Sequence, residues 1–255
     1  MNCYKQKSEM KNIFELFSQY ISKVSTFWLL RDYYFHSFFN RQFRDKRRLI
    51  ESFDENEIKR IFGAMDFEER ALPGFATVKE NGWFRFMYER YLMTLRYTKG
   101  KTVLDSCCGL GWGSYILNLN SKLVMGVDND SGSIKFASDV WKSPNINFIE
   151  KDIFEFFKTN KIIFDVILAM ETIEHFTKED GRKFLEGVIS SLNPDGIFIG
   201  SSFFPKTQKQ ADELLAKNPY HLHLYAKDEI KELLNEYFKN VRIYSELFFF
   251  ASKKK

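Results

Sequence analysis

Hydrophobic positions follow two different periods along the chain, and the change occurs near Gly100. From about Lys11 to Phe62 they recur at helical spacing without an intervening Gly or Pro, which predicts two or three helices. A further helix is predicted over Trp83 to Tyr97. After Gly100, short apolar runs alternate with amphipathic segments, a pattern that predicts parallel strands joined by crossover helices. The strand-like runs are KTVLDS, KLVMGVD, NINFIE, IIFDVILAM, GIFIGSSFF, VRIYSE and LFFFASKKK.

The last two runs are separated only by a Ser-Glu turn, which predicts a hairpin at the edge of the sheet. Phe248, Phe249 and Phe250 fall in the second of them and are predicted to be sheet core. We therefore divide the chain into a helical cap and lid region, residues 1–98, and an α/β domain, residues 99–255.

Composition is that of an ordinary globular protein, with 44% hydrophobic and 28% charged residues in a chain of 255. No apolar stretch has the length of a signal peptide core or of a membrane span, so we expect a soluble protein. Three cysteines, two of them adjacent, give no disulfide framework and favour a cytoplasmic setting. The net charge of +4 does not favour a nucleic-acid partner, and the basic run Arg41 to Arg48 is interpreted as a solvated helix face.

A glycine-rich loop is the most informative segment. In VLDSCCGLGWGSYIL a strand of buried type ends at Asp105 and continues through Gly109, Gly111 and Gly113 into a helix. Glycines at such a place let the backbone approach a ligand closely. A dinucleotide site would have G-x-G-x-x-G directly after the strand, whereas this loop has G-x-G-x-G preceded by an acid. The carboxylate of Asp105 would repel a pyrophosphate and would suit a ligand that bears an ammonium group.

Two further acids follow the next two predicted strands. Asp128 stands where a carboxylate can accept both hydroxyls of a ribose. Asp152 could receive the exocyclic amine of an adenine ring while Ile153 packs on the face of that ring. A single acid at a strand end is more often a helix cap or a solvated turn. The ordered set of ammonium, ribose and adenine contacts describes S-adenosylmethionine.

These segments resemble the class I S-adenosylmethionine-dependent methyltransferases over roughly residues 99–252. The motifs that carry the resemblance are VLDSCCGLGWGS, GVDND, KDIFEF, FDVILAMETIEHF and LNPDGIFIGSS. The family implies a Rossmann-like, mostly parallel seven-stranded sheet whose last strand is antiparallel. It also implies a cofactor site at Asp105, Cys107, Gly109, Gly111, Asp128, Asn129, Asp152, Ile153 and Met170. Cys107 departs from the pattern, since the family usually has its first loop glycine there.

The segment after the fourth strand would face the transferred methyl group. If Glu171 begins a helical turn, Glu174 and His175 lie on the same face of it. Together with His221 or His223 from NPYHLHLY, these groups could bind a divalent cation, Mg or Mn. This arrangement is similar to metal-assisted O-methyltransferases of the ubiquinone-biosynthesis and small-RNA 2′-O branches, in which the cation lowers the pKa of the acceptor hydroxyl. The alternative is that Glu171 and Glu174 are solvated while His175 caps or packs locally. Without a metal, His175 or His221 is the best candidate for a general base, and Glu174 is the third catalytic candidate.

Motifs around this segment bear on the acceptor. Branches that act on nucleic-acid bases or glutamine have Asp or Asn followed by Pro-Pro-Tyr or Pro-Pro-Phe here, and this chain does not. NPYHLHLYAKDEI, ERALPG and the Glu89–Tyr91 stretch resemble bacterial methyltransferases of surface-polysaccharide synthesis. Arg70, Trp83 and Tyr91 could close over the methionine end of the cofactor, the alternative being core packing or surface ion pairs.

We therefore expect a methyltransferase that O-methylates a small molecule or a sugar or glycan precursor. Two alternatives stay open at this point. The first is an RNA 2′-O-methyltransferase whose basic segments grip phosphates. The second is a non-catalytic, cofactor-binding scaffold protein, against which the Glu171, Glu174 and His175 cluster argues.

Overall fold

A seven-stranded sheet with the strand order β3-β2-β1-β4-β5-β7-β6 organises the molecule. The computed structural model describes residues 82–244 and 247–255, with side chains from Met87 onward. The strands are β1 Thr102–Ser106, β2 Leu123–Asp128, β3 Ile146–Glu150, β4 Phe164–Met170, β5 Leu192–Ser201, β6 Phe238–Tyr244 and β7 Phe248–Lys254. The helices are α1 Gly82–Thr98, α2 Trp112–Asn118, α3 Ser131–Val140, α4 Ile153–Thr159, α5 Lys178–Ser191, α6 Gln208–Leu215 and α7 Lys227–Tyr237, and Ile173–His175 forms one turn of 3₁₀ helix.

The direction of the strands confirms the fold that the sequence predicts. Strands β1 to β5 run parallel to one another, and β7 is antiparallel to both of its neighbours, β5 and β6. The two last runs therefore form the expected hairpin, with β6 at the edge of the sheet. The helix predicted over Trp83 to Tyr97 is α1, and the chain leaves it through Gly100 in the left-handed region at a φ of 69°. The helices predicted before residue 82 lie outside the described residues.

Helices cover both faces of the sheet, which explains why the central strands are apolar throughout. Val103 of β1 faces the layer of α1, α2 and α3, and the next residue, Leu104, faces the layer of α4, α5 and α7. Both side chains are fully buried. In the hairpin, Phe248 and Phe249 are buried on opposite faces and Phe250 is partly buried, so the predicted aromatic core is confirmed.

Side-chain caps begin several of the crossover helices directly after the strands. Asp130 accepts a hydrogen bond from the Ser133 backbone N–H at the start of α3, and Thr177 does the same for Asp180 at the start of α5. These caps fix where each chain segment turns away from the sheet. The loops after β1, β2, β3 and β4 consequently meet at the carboxyl edge of the sheet, which is where ligands bind in open α/β folds.

Candidate active site

The loop after β1 folds back onto the end of β2. Cys107, Gly109 and Gly111 have φ values of 54°, 52° and 75°, so three residues of the loop are left-handed. The Gly109 N–H donates to Oδ2 of Asp128 at 2.8 Å, and the Cys108 N–H donates to the carbonyl of Val127 at 3.0 Å. A Cβ on Gly111 would stand 2.6 Å from the side chain of Ala137, so this position also requires glycine for space. The loop is thus a narrow, preformed backbone cradle.

Asp105 lies beneath that cradle and is fully buried. Its Oδ1 accepts a hydrogen bond from the Tyr91 hydroxyl at 3.1 Å, and its Oδ2 accepts one from the Ser114 hydroxyl at 2.6 Å. Burial raises the pKa of Asp105 to about 7, although both hydrogen bonds act in the opposite direction. The carboxylate therefore meets protein donors on both oxygens before any ligand is considered.

The third glycine of the loop motif has a structural role that the motif does not reveal. A Cβ at Gly113 would overlap the aromatic ring of Tyr91, which packs edge-on against Trp112 at a centroid distance of 5.1 Å. Tyr91 is 6% exposed. It is therefore a core residue that supports the loop, and the interpretation of Tyr91 as a lid is wrong. The other lid candidates, Arg70 and the side chain of Trp83, lie outside the described residues.

The remaining predicted cofactor residues lie along the same edge. Asp128 ends β2 and also accepts the Asp130 N–H through Oδ1 at 3.0 Å, while the neighbouring Asn129 is exposed. Asp152 caps α4 by accepting the N–H groups of two residues in the first turn. Ile153, the first residue of α4, and Met170, the last residue of β4, are both buried. The helix-cap alternative for Asp152 is thus what this structure contains, and its oxygens retain further lone pairs for a ligand.

The turn after β4 differs from the helical turn that the sequence predicts. Glu171 has a φ of 50°, so it cannot begin a helix, and the 3₁₀ turn starts only at Ile173. The carboxylate of Glu171 forms an ion pair with the buried Arg90 and accepts a hydrogen bond from the Ser201 hydroxyl at 2.9 Å. Its side chain therefore points to α1 and β5, and the predicted shared face with Glu174 and His175 is wrong for Glu171.

Glu174, His175 and His221 do come together. Each offers a ligand atom, and the three atoms lie within 4.8 Å of one another. Glu174 is 2% exposed, and its Oε2 has no hydrogen-bond partner in the described part of the chain. Burial raises the pKa of Glu174, against the opposing charges of His175 and Arg90. A buried carboxylate oxygen without a donor is costly, so this atom is suited to a proton, a cation or a ligand donor.

Hydrogen bonds fix the orientation of both imidazoles. His175 Nδ1 lies 3.1 Å from the carbonyl oxygen of Tyr220, and because a carbonyl can only accept, Nδ1 has the proton and Nε2 has the lone pair. The Tyr220 N–H donates to Oδ1 of Asn218, which turns Nδ2 of that amide toward His221 Nε2 at 3.1 Å. His221 Nε2 is therefore an acceptor of an amide proton in this arrangement.

The loop that supplies His221 is tied to the turn by backbone hydrogen bonds. The N–H groups of Leu222 and His223 donate to the carbonyl of Glu174 at 2.8 and 3.3 Å. His223, which the sequence offers as an alternative to His221, instead contacts both carboxylate oxygens of Glu229 at 3.2 Å. The sequence did not reveal Arg90 and Ser201 as site residues, because their contacts join segments far apart in the chain.

A glycine cradle, three acids after successive parallel strands and a buried carboxylate beside an imidazole lie at the carboxyl edge of a Rossmann-like domain. Nucleoside-containing cofactors bind at this edge in such folds. A family described as a methyltransferase domain matches residues 97–240, which is more than half of the chain. The chain belongs to this family, and the predicted membership of the class I S-adenosylmethionine-dependent methyltransferases is confirmed.

Individual relatives agree with this assignment. A probable S-adenosylmethionine-dependent methyltransferase of Mycolicibacterium smegmatis is 26% identical over 166 residues, which make up 65% of this chain and 62% of that protein. An uncharacterised RNA methyltransferase of Mycoplasma mobile is 34% identical over 72 residues, 27% of this chain and 20% of that protein. The chain thus spans about three fifths and one fifth of the length of these two relatives.

Solved structures support the fold. The N-methyltransferase NodS of Bradyrhizobium japonicum, crystallised with S-adenosyl-L-homocysteine, is similar with a TM-score of 0.54 and 18% identity over 70% of this chain and 90% of that one. At this level of identity the likeness concerns the fold alone. Among the described residues, no helix is long and apolar enough to cross a membrane.

Proposed function

We propose that this protein transfers the methyl group of S-adenosylmethionine to a hydroxyl of a small molecule or of a sugar or glycan precursor. The single observation that supports this most is the Glu174–His175 pair at the carboxyl end of β4. There a buried carboxylate with an unpartnered oxygen stands next to an imidazole whose Nε2 can accept a proton. A hydroxyl acceptor must lose a proton as it attacks, and such a pair provides the base.

The residues of the carboxyl edge fit the cofactor. The left-handed Gly109 has no side chain, so a ligand can approach the main chain of the loop closely there. The buried carboxyl of Asp105 suits the ammonium group at the methionine end, whose positive charge would favour the ionised form of that carboxyl. Asp128 would receive the ribose hydroxyls with its remaining lone pairs, and Asp152 and Ile153 would contact the adenine. When bound, the cofactor supplies an electrophilic methyl group on a sulfonium.

The transfer step then needs alignment and one proton acceptor. The site would align an acceptor hydroxyl with the methyl group that the bound cofactor would supply, and transfer of that group would leave the cofactor as a neutral thioether. The hydroxyl proton would pass to Nε2 of His175, while Nδ1 keeps its own proton and donates it in the hydrogen bond to the Tyr220 carbonyl, which holds the ring in place. The negative charge of Glu174 would stabilise the imidazolium that forms.

The test compares two histidines of the same neighbourhood. In His175→Ala the transfer rate should fall about a hundredfold, because a positioned general base contributes roughly that factor. Binding of S-adenosyl-L-homocysteine, measured by calorimetry, should change little. His223→Gln is the control, because it keeps a hydrogen bond to Glu229 and leaves the pair untouched. Acceptors are first sought among molecules that co-purify, and equal loss of transfer and of cofactor binding in His175→Ala would contradict the assigned role.

A divalent cation, Mg or Mn, is a second proposal for the same cluster. It is supported by the three donors within 4.8 Å and by the unpartnered Oε2 of Glu174. Two contacts weigh against it, since Glu171 is paired with Arg90 and His221 Nε2 accepts from Asn218. Elemental analysis, together with a Mn²⁺ titration monitored by electron paramagnetic resonance, tests whether the protein binds a divalent cation. Wild-type binding that Glu174→Gln abolishes would support the cation, and identical weak binding by both would remove it.

The two other candidates are separated by binding assays. The similarity to a protein named as an RNA methyltransferase supports an RNA acceptor, which predicts binding to single-stranded RNA that weakens steeply with salt. No measurable RNA binding at low salt would exclude it. Tight binding of the cofactor without transfer to any acceptor of a broad hydroxyl panel would instead favour a scaffold.

A further inference from the structure

Two adjacent residues of α1 reach two different carboxylates of the site. Arg90 Nη1 binds the carboxylate of Glu171 and contacts the Ser201 hydroxyl at 2.9 Å. The next residue, Tyr91, donates its hydroxyl to Asp105 at 3.1 Å. Asp105 belongs to the cofactor side of the site, and Glu171 opens the turn that ends in Glu174 and His175. A single helical segment is therefore attached to both halves of the site.

The Arg90 contact holds a strained turn. Arg90 is 4% exposed, and burial lowers the pKa of its guanidinium to about 9. The ion pair with Glu171 therefore forms in a buried place where the loss of water disfavours the charged guanidinium. Glu171 has a positive φ, a conformation that non-glycine residues adopt only when their surroundings impose it. Ser201 adds its backbone carbonyl, which accepts the Glu171 N–H at 2.9 Å. Arg90 and Ser201 thus fix the direction in which the chain approaches Glu174.

The Tyr91 contact holds the glycine cradle from below. Its ring fills the space that a side chain at Gly113 would occupy and packs against Trp112. Its hydroxyl orients Asp105 together with Ser114. This contact is separate from the Arg90 contact, because Asp105 lies in β1 whereas Glu171 follows β4, and the two residues share no hydrogen-bond partner among the contacts described above.

We propose that Arg90 and Tyr91 are positioning residues, with Arg90 aligning the turn that carries Glu174 and His175 and Tyr91 aligning the carboxylate under the cofactor cradle. The inference rests on the proposed function for the role of the turn. It predicts that Arg90 affects the order of the turn at residues 171–176 and that its neighbour Tyr91 affects the affinity for the cofactor. If the helix contributed only packing, either substitution would weaken both the order of the turn and the cofactor affinity.

The experiment uses the full chain and compares Arg90→Gln with Tyr91→Phe. For Arg90→Gln, exchange of the backbone amides of residues 171–176 should rise at least about tenfold, with the affinity for S-adenosyl-L-homocysteine within about threefold of wild type. For Tyr91→Phe, that affinity should fall about fivefold, the usual weight of one buried hydrogen bond, with exchange of residues 171–176 unchanged. Arg96→Gln is the control, since Arg96 lies on the exposed surface of the same helix over the ring of Tyr97.

Rescue and transfer complete the test. Arg90→Lys retains the cation and should restore part of the protection that Arg90→Gln loses. With any acceptor that the wild type methylates, Arg90→Gln should lower kcat about tenfold or more with the cofactor KM little changed. Equal changes of exchange and affinity in both variants would overturn the proposal. Because exchange and cofactor affinity need no acceptor, failure to find an acceptor would count against the proposed function and not against this one.

Discussion

The buried carboxylate of Asp105 makes the stability of the protein depend on pH in an unusual direction. Burial raises the pKa of this carboxyl from 3.8 to about 7 in the folded chain. Between these two values the folded protein holds a proton that the unfolded chain has released. Raising the pH therefore disfavours folding across this window, whereas a salt-bridged carboxylate would have the opposite effect.

The magnitude follows from the size of the window. Each unit of pH costs about 1.4 kcal/mol while the folded group is protonated and the unfolded one is not. Between pH 5 and pH 7 the contribution of Asp105 to the free energy of unfolding should thus fall by about 2 to 3 kcal/mol, and it should level off above pH 8. Asp105→Asn removes the titration and keeps the shape of the side chain, because its amide can still accept from Tyr91 and donate to Ser114.

Urea unfolding of both proteins, measured at half-unit steps from pH 5 to pH 8.5 without cofactor, provides the data. The quantity that matters is the wild-type free energy of unfolding minus that of Asp105→Asn, since all other groups cancel in it. This difference should decrease steadily with pH up to about 7. A level difference would show that burial does not dominate at Asp105. A difference that rises with pH would show that the hydrogen bonds from Tyr91 and Ser114 outweigh burial, and either result refutes the reasoning.

Three substitutions test other parts of the site. Gly113→Ala forces its Cβ into the Tyr91 ring and should cost about 1 to 3 kcal/mol in chemical unfolding, although alanine is otherwise favoured over glycine in a helix; unchanged or increased stability would contradict the packing argument. Cys107→Gly relieves a left-handed φ of 54° and should raise stability by up to about 1 kcal/mol, while a clear loss would mean that the thiol packs more tightly than its half-exposure indicates. Asp152→Ala removes the cap of α4 and should cost about 1 kcal/mol in the same assay, with no loss if the cap is not needed.

The strands and the final hairpin could be predicted because their information is local. Short continuous apolar runs such as the one around Val103, alternating with amphipathic segments, are typical of buried parallel strands joined by helices, and the hairpin follows from one short turn. Spacing within one turn also predicted that Glu174 and His175 lie together, with His221 or His223 added from NPYHLHLY, and the structure brings Glu174, His175 and His221 to one place. Both inferences depend on spacing within a segment or on a rule that holds for the whole fold class.

The parts that could not be predicted depend on tertiary partners. Nothing near Glu171 in the sequence indicates a left-handed φ, since the conformation is imposed by Arg90, which lies 81 positions earlier. In the same way Gly113 looks like a third cofactor glycine until Tyr91 is found in its place. Propensity and spacing describe a single segment of the chain. The conformation of Glu171 and the role of Gly113 depend instead on α1, which packs against both of their segments.

The position of β7 between β5 and β6 has a consequence for the order in which the sheet can be built. Strand β6 is synthesised before β7, and among the described strands its backbone pairs with β7 alone. Until residues 248–254 emerge from the ribosome, β6 has no strand to pair with and β5 keeps an open edge. The five parallel strands can therefore assemble during synthesis, and closure of the domain waits for the final hairpin.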